Sequence, residues 1–325
     1  MGRAAVIRRT GGPEVIEIEE VTVGHPGPRE AKVRHEAIAV NFHDIYVRSG
    51  LYPVQDLLPL VLGTEAAGVV LEVGADVDYL QPGDRVAYAC RPYGAFSDER
   101  LIEADNLVKL PDVIDARTAA CVMLKGMTAE YLLHRTHKVH AGDTILVHAA
   151  AGGVGQILCQ WARHLGVTVI GTAGGPEKTA IARAVGCAHV IDYKAEDFVA
   201  RVKEITQGAG VPVVYDSVGR DTFFGSMECL ATRGHLVNFG QSSGPIEGFA
   251  VAQLSEKSLT LSRPVLFHYI STRAELEEVA GNLFSVIGSG VVTARVGHSY
   301  PLEEAGRAQA ALEQRKTVGA SILLP

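Results

Sequence analysis

The rhythm of apolar and polar positions changes once along this chain, near residue 116. Before that point the apolar residues fall in short runs, several with alternating polar neighbours: VIEIEEV (15–21), EAKVRHEAIAV (30–40), EAAGVVLEVG (65–74) and DRVAYA (84–89). Turn signals such as GGPE, GHPGP and QPGD separate them, so the first ~120 residues predict short β-strands rather than helices. DARTAACVMLKGMTAEYLLHRT (115–136) then reads as helical, with a glycine near its middle. Beyond it the chain alternates strand and helix. The strands are DTILVHA (143–149), VTVIGTA (167–173), HVIDY (189–193), PVVYDSV (212–218), HLVNFG (235–240) and SLTLSRPVL (258–266). The helices between them are QILCQWARHLG, KTAIARAVG, AEDFVARVKEIT and DTFFGSMECLA. Continuous apolar strands alternating with helices predict a parallel sheet covered on both faces.

After residue 266 two helical stretches follow, TRAELEEVAGNLFSVIGSG and PLEEAGRAQAALEQRK, with VVTARVG as a strand between them. The apolar end, ASILLP, is expected to return to the first region and complete its sheet. The pattern predicts an α/β protein of two domains, one from residues 1–120 and 267–325 and one from 121–266. A length of 325 residues supports two cores rather than one.

Composition narrows the class only a little. An apolar content of 47% with 21% charged residues suits a water-soluble globular chain. A net charge of −7 argues against a nucleic-acid surface. MGRAAVIRRTGG lacks the apolar core of a secretory signal, and no stretch approaches the ~20 apolar residues of a membrane span. Five cysteines (90, 121, 159, 187 and 229), odd in number and without a CxxC, fit reduced thiols in a cytoplasm.

The strongest local motif is DTILVHAAAGGVGQILCQWARHLG (143–166), an apolar strand, a small-residue turn and an apolar helix. Read as a dinucleotide fingerprint, it is Ala150-Ala151-Gly152-Gly153-Val154-Gly155, with alanine in the first glycine position. Gly152 lets the backbone approach a pyrophosphate, and Gly155 lets helix and strand pack closely. The helix N-terminus offers N–H groups and a positive dipole end. The second strand then separates the coenzymes. An NAD enzyme places Asp or Glu at its tip to hold the ribose 2′-hydroxyl. Here the tip is Thr172-Ala173-Gly174-Gly175, with Lys178 and Arg183 nearby and Tyr193 ending the next strand. An open tip beside cations suits a 2′-phosphate, so the residues predict NADP(H).

Taken with GGPEV, NFHDIYVRSGLY, LGTEAAGVV, GDRVAY, MLKGMTAEYLL, VYDSVGRDT and the terminal GASILLP, this loop makes the chain resemble one family from end to end. It resembles the zinc-independent, zeta-crystallin-like quinone oxidoreductases of the medium-chain dehydrogenase/reductase superfamily. The resemblance implies a GroES-like β-barrel-like catalytic domain and a Rossmann domain with the coenzyme between them. It also implies NADPH-dependent quinone reduction, by hydride or by a one-electron route, and a homodimer. Carried over residue by residue, it implies a nicotinamide-side segment of Asn41, Phe42, Asp44 and Tyr46, with Tyr52 close by. It implies coenzyme contacts from Lys125 and Tyr131, from the loop Gly152, Gly153 and Val154, and from Gly174, Lys178 and Tyr193. Further contacts follow at Ser217 and Val218, at Phe239, Gly240, Gln241, Ser242 and Ser243, at Arg263, Val265 and Leu266, and at Arg315. Asn41, Tyr46 and Tyr52 are the catalytic candidates, as neutral donors to an acceptor oxygen; an ordinary phenol, pKa ~10, donates at pH 7 without tuning. Asp44 is read as orienting a neighbour or capping a turn. His43, Ile45, Gln241 and Ala320 depart from the family pattern.

Zinc alcohol dehydrogenases are the nearest rival, since the family likeness gives them the same two folds. They carry a cysteine at the start of the segment matching NFHDIY and a Gly-His-Glu about twenty residues on, as ligands of one metal. Here those positions hold Asn41 and Gly63-Thr64-Glu65, and Cys90 alone stands where a structural zinc needs four cysteines. No metal site is expected there, nor at His134, His137 and His140, since histidines at a helix end are often solvated or favoured there by the negative end of the dipole. Two other functions stay open at this point: reduction of an activated C=C bond in an enone, and NADPH binding by a structural or regulatory protein of negligible turnover.

Overall fold

The structure, a computed structural model, describes residues 2–294 and 296–325. It divides into two compact units: Met1–Leu124 with Ile270–Phe284 and Ala294–Pro325, and Lys125–Tyr269 with Ser285–Thr293. Residues 285–293 group with the second unit for a physical reason. Gln160 Oε1 accepts from Thr293 N and from Thr293 Oγ1, each at 3.0 Å, and its amide donates to Thr293 O at 3.2 Å.

The first unit is mostly antiparallel. Its larger sheet runs Val296–Pro301, Ala320–Leu324, Glu30–Val40, Glu65–Val73, Arg85–Ala89, Val108–Lys109, and Glu99–Glu103 also pairs with Glu30–Val40. A smaller sheet holds Ile16–Val21, Gly2–Ile7 and Leu60–Val61. The chain end does complete the larger sheet: Ile322 pairs with Ala39 and Leu323 with Ile38. The strand expected over 291–297 begins at Val296; Arg295 lies outside the described residues. Along Glu30–Val40 the alternation in sequence becomes alternation in space, with Ala31, Val33 and His35 buried and Arg34 and Glu36 exposed.

His35 is the polar exception in that core. Its Nδ1 lies 2.6 Å from Ser97 O, and Tyr88 O–H donates to Nε2 at 2.8 Å. Burial lowers its pKa to about 4, so the ring is neutral and both nitrogens are satisfied.

The second unit carries six parallel strands in the order His189–Asp192, Thr168–Ala173, Thr144–Val147, Val211–Asp216, Leu230–Asn238, Thr260–Ser262. Numbered along the chain this is 3-2-1-4-5-6, the doubly wound order that gathers strand ends around a switch point beside the first strand. Two strands depart from expectation. HLVNFG is the end of a longer strand, Leu230–Asn238, because a bulge with Arg233 at φ 65° lets pairing start right after the preceding helix. SLTLSRPVL yields only Thr260–Ser262, since Pro264 has no N–H to continue the ladder. The helix Ala116–Tyr131 passes through Gly126 unbroken and ends in a π-turn, Leu132–Thr136. Among the described residues no helix is long and apolar enough to cross a membrane.

Candidate active site

In the first unit NFHDIYVRSGLY forms a short helix, Phe42–Arg48, which the strand-and-turn reading of that region does not contain. Asn41 is its N-cap residue, and Asp44 Oδ2 reaches back to accept the Asn41 backbone N–H at 2.8 Å. This is one arm of a capping box, and it gives Asp44 the capping role anticipated for it. Arg48, buried at the other end, donates to Gly11 O at 3.1 Å, Gln309 Oε1 at 3.1 Å and Glu313 Oε2 at 2.9 Å. The helix is thus fixed at both ends.

Asn41 is only 4% exposed, and its side-chain amide donates to Glu65 Oε2 at 2.8 Å. Glu65 is fully buried, and its Oε1 accepts the Leu124 backbone N–H at 2.7 Å. Thr64 Oγ1 donates to Asp44 Oδ1 at 3.2 Å. The positions where a zinc dehydrogenase would converge its ligands therefore hold a hydrogen-bonded network of an amide, a hydroxyl and two carboxylates. One of the two amide N–H donors of Asn41 is committed to Glu65. Glu65 and Thr64 complete this network, and sequence reasoning assigned neither a role. Only their place in LGTEAAGVV, opposite the Asn41 segment, hinted at it.

The half-buried outer face of this helix is aromatic. Tyr46 meets Tyr52 edge-on with ring centres 5.3 Å apart, and Phe42 lies 6.1 Å from Tyr46. His43 meets Tyr52 edge-on at 5.3 Å and Tyr93 at 5.9 Å. Burial first, and then the Arg91 charge, lower the His43 pKa to about 4, so this ring is neutral at pH 7. Burial raises the Tyr93 phenol, against the opposing pull of Arg91.

In the second unit the glycine loop ends the strand Thr144–Val147 and opens the helix Gly153–His164, with Gly152 as its N-cap residue. A Cβ on Gly155 would stand 2.3 Å from Ala149 O and 2.9 Å from Ala150 Cα, so only glycine fits that helix–strand contact. The Lys125 side chain runs past the loop, its Cδ 2.8 Å from where a Gly153 Cβ would sit. Beneath the loop lies a buried relay. Thr172 Oγ1 stands 2.9 Å from His148 Nδ1, His148 Nε2 stands 3.0 Å from Ser226 Oγ, and Ser226 donates to Asp216 Oδ2 at 3.4 Å. Burial lowers the His148 pKa, consistent with a neutral ring whose Nε2–H points to Ser226.

At the tip of the second strand Tyr193 covers Gly174, its hydroxyl oxygen 2.5 Å from where a Cβ would stand, so any side chain at 174 requires the exposed Tyr193 ring to shift. Lys178 is half-exposed on the first turn of the helix Pro176–Ala184. The nearby carboxylate belongs to Asp192, at the end of the third strand. It accepts backbone N–H groups of Gly175 at 2.9 Å and Lys194 at 3.0 Å, and these hold its pKa low.

Past the fourth strand, buried Asp216 gathers the backbone N–H of Val218 at 2.7 Å and of Gly219 at 3.0 Å, with the Thr222 hydroxyl at 2.9 Å. Ser243 Oγ donates to Val218 O at 2.8 Å, and Ser242 N donates to Ser217 O at 3.2 Å. Arg263 Nη1 donates to Asn238 Oδ1 at 2.7 Å and Gly240 O at 2.8 Å. The structure thus brings Ser217, Val218, Gly240, Ser242, Ser243 and Arg263 into one hydrogen-bonded loop pair, with Phe239 and Gln241 half-buried within it. Asp216 and Asn238 hold that pair together and were not anticipated.

Tyr131 is 2% exposed and stacks on Tyr269, with ring centres 4.4 Å apart. Leu266 is buried and Val265 exposed, on either side of one backbone turn. Arg315 is exposed after the helix Ala305–Glu313, at φ 58°. The three spaced histidines diverge: His134 packs on Trp161, His137 on His235, and His140 faces Asp143. Among the described residues no three His, Cys, Asp or Glu side chains converge as a metal site. All five cysteines are buried.

The second unit's loops fit a phosphorylated dinucleotide. The glycine cradle, the opening turn of a helix whose first N–H groups lack intrahelical partners, and a side-chain-free strand tip beside Lys178 are what such a ligand needs.

Residues 27–144 match the family described as alcohol dehydrogenase GroES-like domain, and residues 153–284 match the family described as zinc-binding dehydrogenase. A quinone oxidoreductase of Pseudomonas aeruginosa is 49% identical over 316 residues, 97% of each chain. A 2-haloacrylate reductase of a Burkholderia species is 47% identical, covering 100% of this chain and 99% of its own. The structure of Escherichia coli quinone oxidoreductase complexed with NADPH superposes with a TM-score of 0.97 at 47% identity, covering 99% of this chain and 100% of that one. With this likeness running through both units and their loops, the chain belongs to the quinone oxidoreductases of the medium-chain dehydrogenase/reductase superfamily.

Proposed function

We propose that this protein is an NADPH-dependent quinone reductase that works without zinc. The observation that carries this reading is the closed Asn41–Glu65 and Thr64–Asp44 network with Tyr46 and Tyr52 beside it. Its donor set suits hydrogen bonding to an oxygen rather than ligation of zinc, which selects cysteine, histidine and converging carboxylates. The second unit holds NADPH through Gly152, Gly153 and Val154, with Lys178 and Tyr193 taking the 2′-phosphate. Ser217, Val218, Phe239 to Ser243 and Arg263 flank it as ordered backbone, and Lys125 approaches the same loop. The bound coenzyme supplies a hydride.

The chain's own part is to hold the acceptor and stabilise the negative charge that develops on its oxygen. The second amide N–H of Asn41 and the phenols of Tyr46 and Tyr52 are the donors for that oxygen. A quinol oxygen can also take its proton from water, so no strong acid is needed.

We further propose a homodimer formed along the edge strand Thr260–Ser262, where exposed Val251 and Phe224 add apolar surface nearby. A reducing cytoplasm suits its odd number of buried cysteines. Sedimentation showing only monomer at micromolar concentration would rule out the dimer.

A second reading, reduction of an activated C=C bond, is favoured by the 47% identity to a 2-haloacrylate reductase. Parallel assays of NADPH and NADH oxidation with 1,2-naphthoquinone, 9,10-phenanthrenequinone and a simple enone decide between them. Quinone reduction with NADPH far ahead of NADH supports the first reading. Turnover confined to the enone supports the second. Tight NADPH binding with no turnover on any acceptor removes both.

A further inference from the structure

One residue holds both flanks of the turn that opens the glycine loop. Ala149 lies two positions past the strand Thr144–Val147 and adopts φ 52°, in the left-handed region that a residue with a Cβ disfavours. Its carbonyl accepts the Gly152 backbone N–H at 2.8 Å, and so sets where the loop turns into the helix Gly153–His164. Both neighbours of Ala149 are bonded to Thr172 on the second strand. The Thr172 carbonyl accepts the Ala150 N–H at 3.0 Å, and the Thr172 hydroxyl stands 2.9 Å from His148 Nδ1. The His148 backbone N–H donates to Tyr215 O on the fourth strand at 3.0 Å.

Chemistry fixes the direction of the side-chain bonds. The Asp216 carboxylate only accepts, so the Ser226 hydroxyl points to it at 3.4 Å. The Ser226 oxygen then accepts the Nε2–H of His148 at 3.0 Å, and Nδ1 accepts the Thr172 hydroxyl. All four side chains are buried, where a bond left unmade is costly.

We propose that the Thr172–His148 pair is a positioning device for the coenzyme: it keeps Ala149 in its left-handed turn, and so keeps the loop Gly152, Gly153 and Val154 shaped for a pyrophosphate before the coenzyme arrives. This rests on the reading of that loop as the NADPH site. Through Ser226 the same imidazole reaches Asp216, which holds the Val218 and Gly219 N–H groups. One ring thus ties together the two loops assigned to the coenzyme.

The test separates the hydroxyl from the strand and the turn from the hydroxyl. T172V removes the hydroxyl but keeps the branched shape and the backbone bond to Ala150, and T172S keeps the hydroxyl. A149G makes the left-handed turn accessible without help from the pair. In calorimetry the Kd for NADPH is expected to rise about tenfold in T172V, as the fraction of loops in the binding shape falls by that factor. T172S stays near wild type, and the double variant T172V/A149G recovers most of the loss. In steady-state assays the loss appears in KM for NADPH rather than in kcat or in KM for the quinone. H148Q is the second arm, in case T172V does not fold: its amide can still reach Ser226 but leaves the Thr172 hydroxyl unmet, so it should show the same loss and the same recovery with A149G. An unchanged Kd overturns the proposal, as does equal weakening in T172S. A loss that A149G leaves in full overturns it too, because the pair would then support the fold at large and not the turn. If wild type reduces no quinone, the functional reading fails separately, and NADPH binding still decides the role of the pair.

Discussion

The two units prepare their candidate ligand-facing residues in opposite ways. In the first, backbone serves side chains: a short capped helix, pinned by Arg48, presents Asn41 and Tyr46, Tyr52 packs on Tyr46 from the following turn, and buried Glu65 fixes the amide. In the second, side chains serve backbone. Asp216 gathers the N–H groups of Val218 and Gly219, and Arg263 ties down carbonyls of Asn238 and Gly240. The surface left for a ligand is then mostly main chain and glycine. The difference teaches that the first unit is sensitive to loss of a polar atom, and the second to gain of a carbon atom.

Gly155→Val breaks the second unit's loop most severely. The added atoms meet Ala149 O and Ala150 Cα within 3 Å, and the clash falls on backbone that cannot yield cheaply. A loss of about 3 kcal/mol in stability is expected, with NADPH binding weakened in calorimetry. Unchanged unfolding and binding would mean that the close contact is not needed. Glu65→Leu tests the first unit by subtraction, leaving the Asn41 amide and the Leu124 N–H without their acceptor. About 2 kcal/mol should be lost in urea unfolding, and quinone turnover should fall with it. Glu65→Gln, which keeps a carbonyl acceptor, should recover part of both.

Acid probes the first unit's buried polar groups as a class. The folded-state pKa of His35 is depressed from 6.5 to about 4, so the stability it contributes is complete above pH 6.5 and is lost as pH falls toward 4. Between pH 6.5 and pH 5 its share is about 2 kcal/mol, measurable as a drop in the urea midpoint. H35Q should flatten that slope, and the same slope in both proteins would assign it to other groups. Smaller again is Lys178→Ala, which should lower the NADPH-to-NADH ratio of kcat/KM about tenfold. An unaltered ratio would place 2′-phosphate recognition on other donors. Tyr46→Phe and Tyr52→Phe should each cost turnover less than about tenfold, because water can supply the proton. A loss beyond ~10⁴-fold from either would make that tyrosine an obligatory donor.

The same contrast explains what could be read from sequence. The glycine loop and the bare strand tip are local: strand, turn, helix and Gly174 lie within a few dozen residues, and backbone chemistry leaves a direct trace in residue type. All six strands of the parallel sheet are legible for that reason; the largest shifts fall at the Arg233 bulge and Pro264, and the first and fourth strands end two residues early, at Val147 and Asp216. The Asn41–Glu65 bond joins residues 24 apart on different elements, and the Arg48–Glu313 pair joins residues 265 apart. Periodicity carries no information about such pairs. The helix Phe42–Arg48 escapes the periodicity because it is 7 residues long, too short for Phe42, Ile45 and Tyr46 at i, i+3 and i+4 to establish a repeat, although Asn41 and Asp44 at N-cap spacing mark its start. Asp216 was hidden in an apolar strand end, where a lone carboxylate gives no sign that it will bind Val218, Gly219, Thr222 and Ser226.

The central claim is that a hydrogen-bonded network, not a metal, occupies the heart of the first unit's site. It is tested most directly by kcat/KM for NADPH-dependent reduction of 9,10-phenanthrenequinone before and after exhaustive chelation with 1,10-phenanthroline, followed by addition of zinc. The account predicts the same value in all three states. Activity that disappears with the chelator and returns with zinc would contradict it.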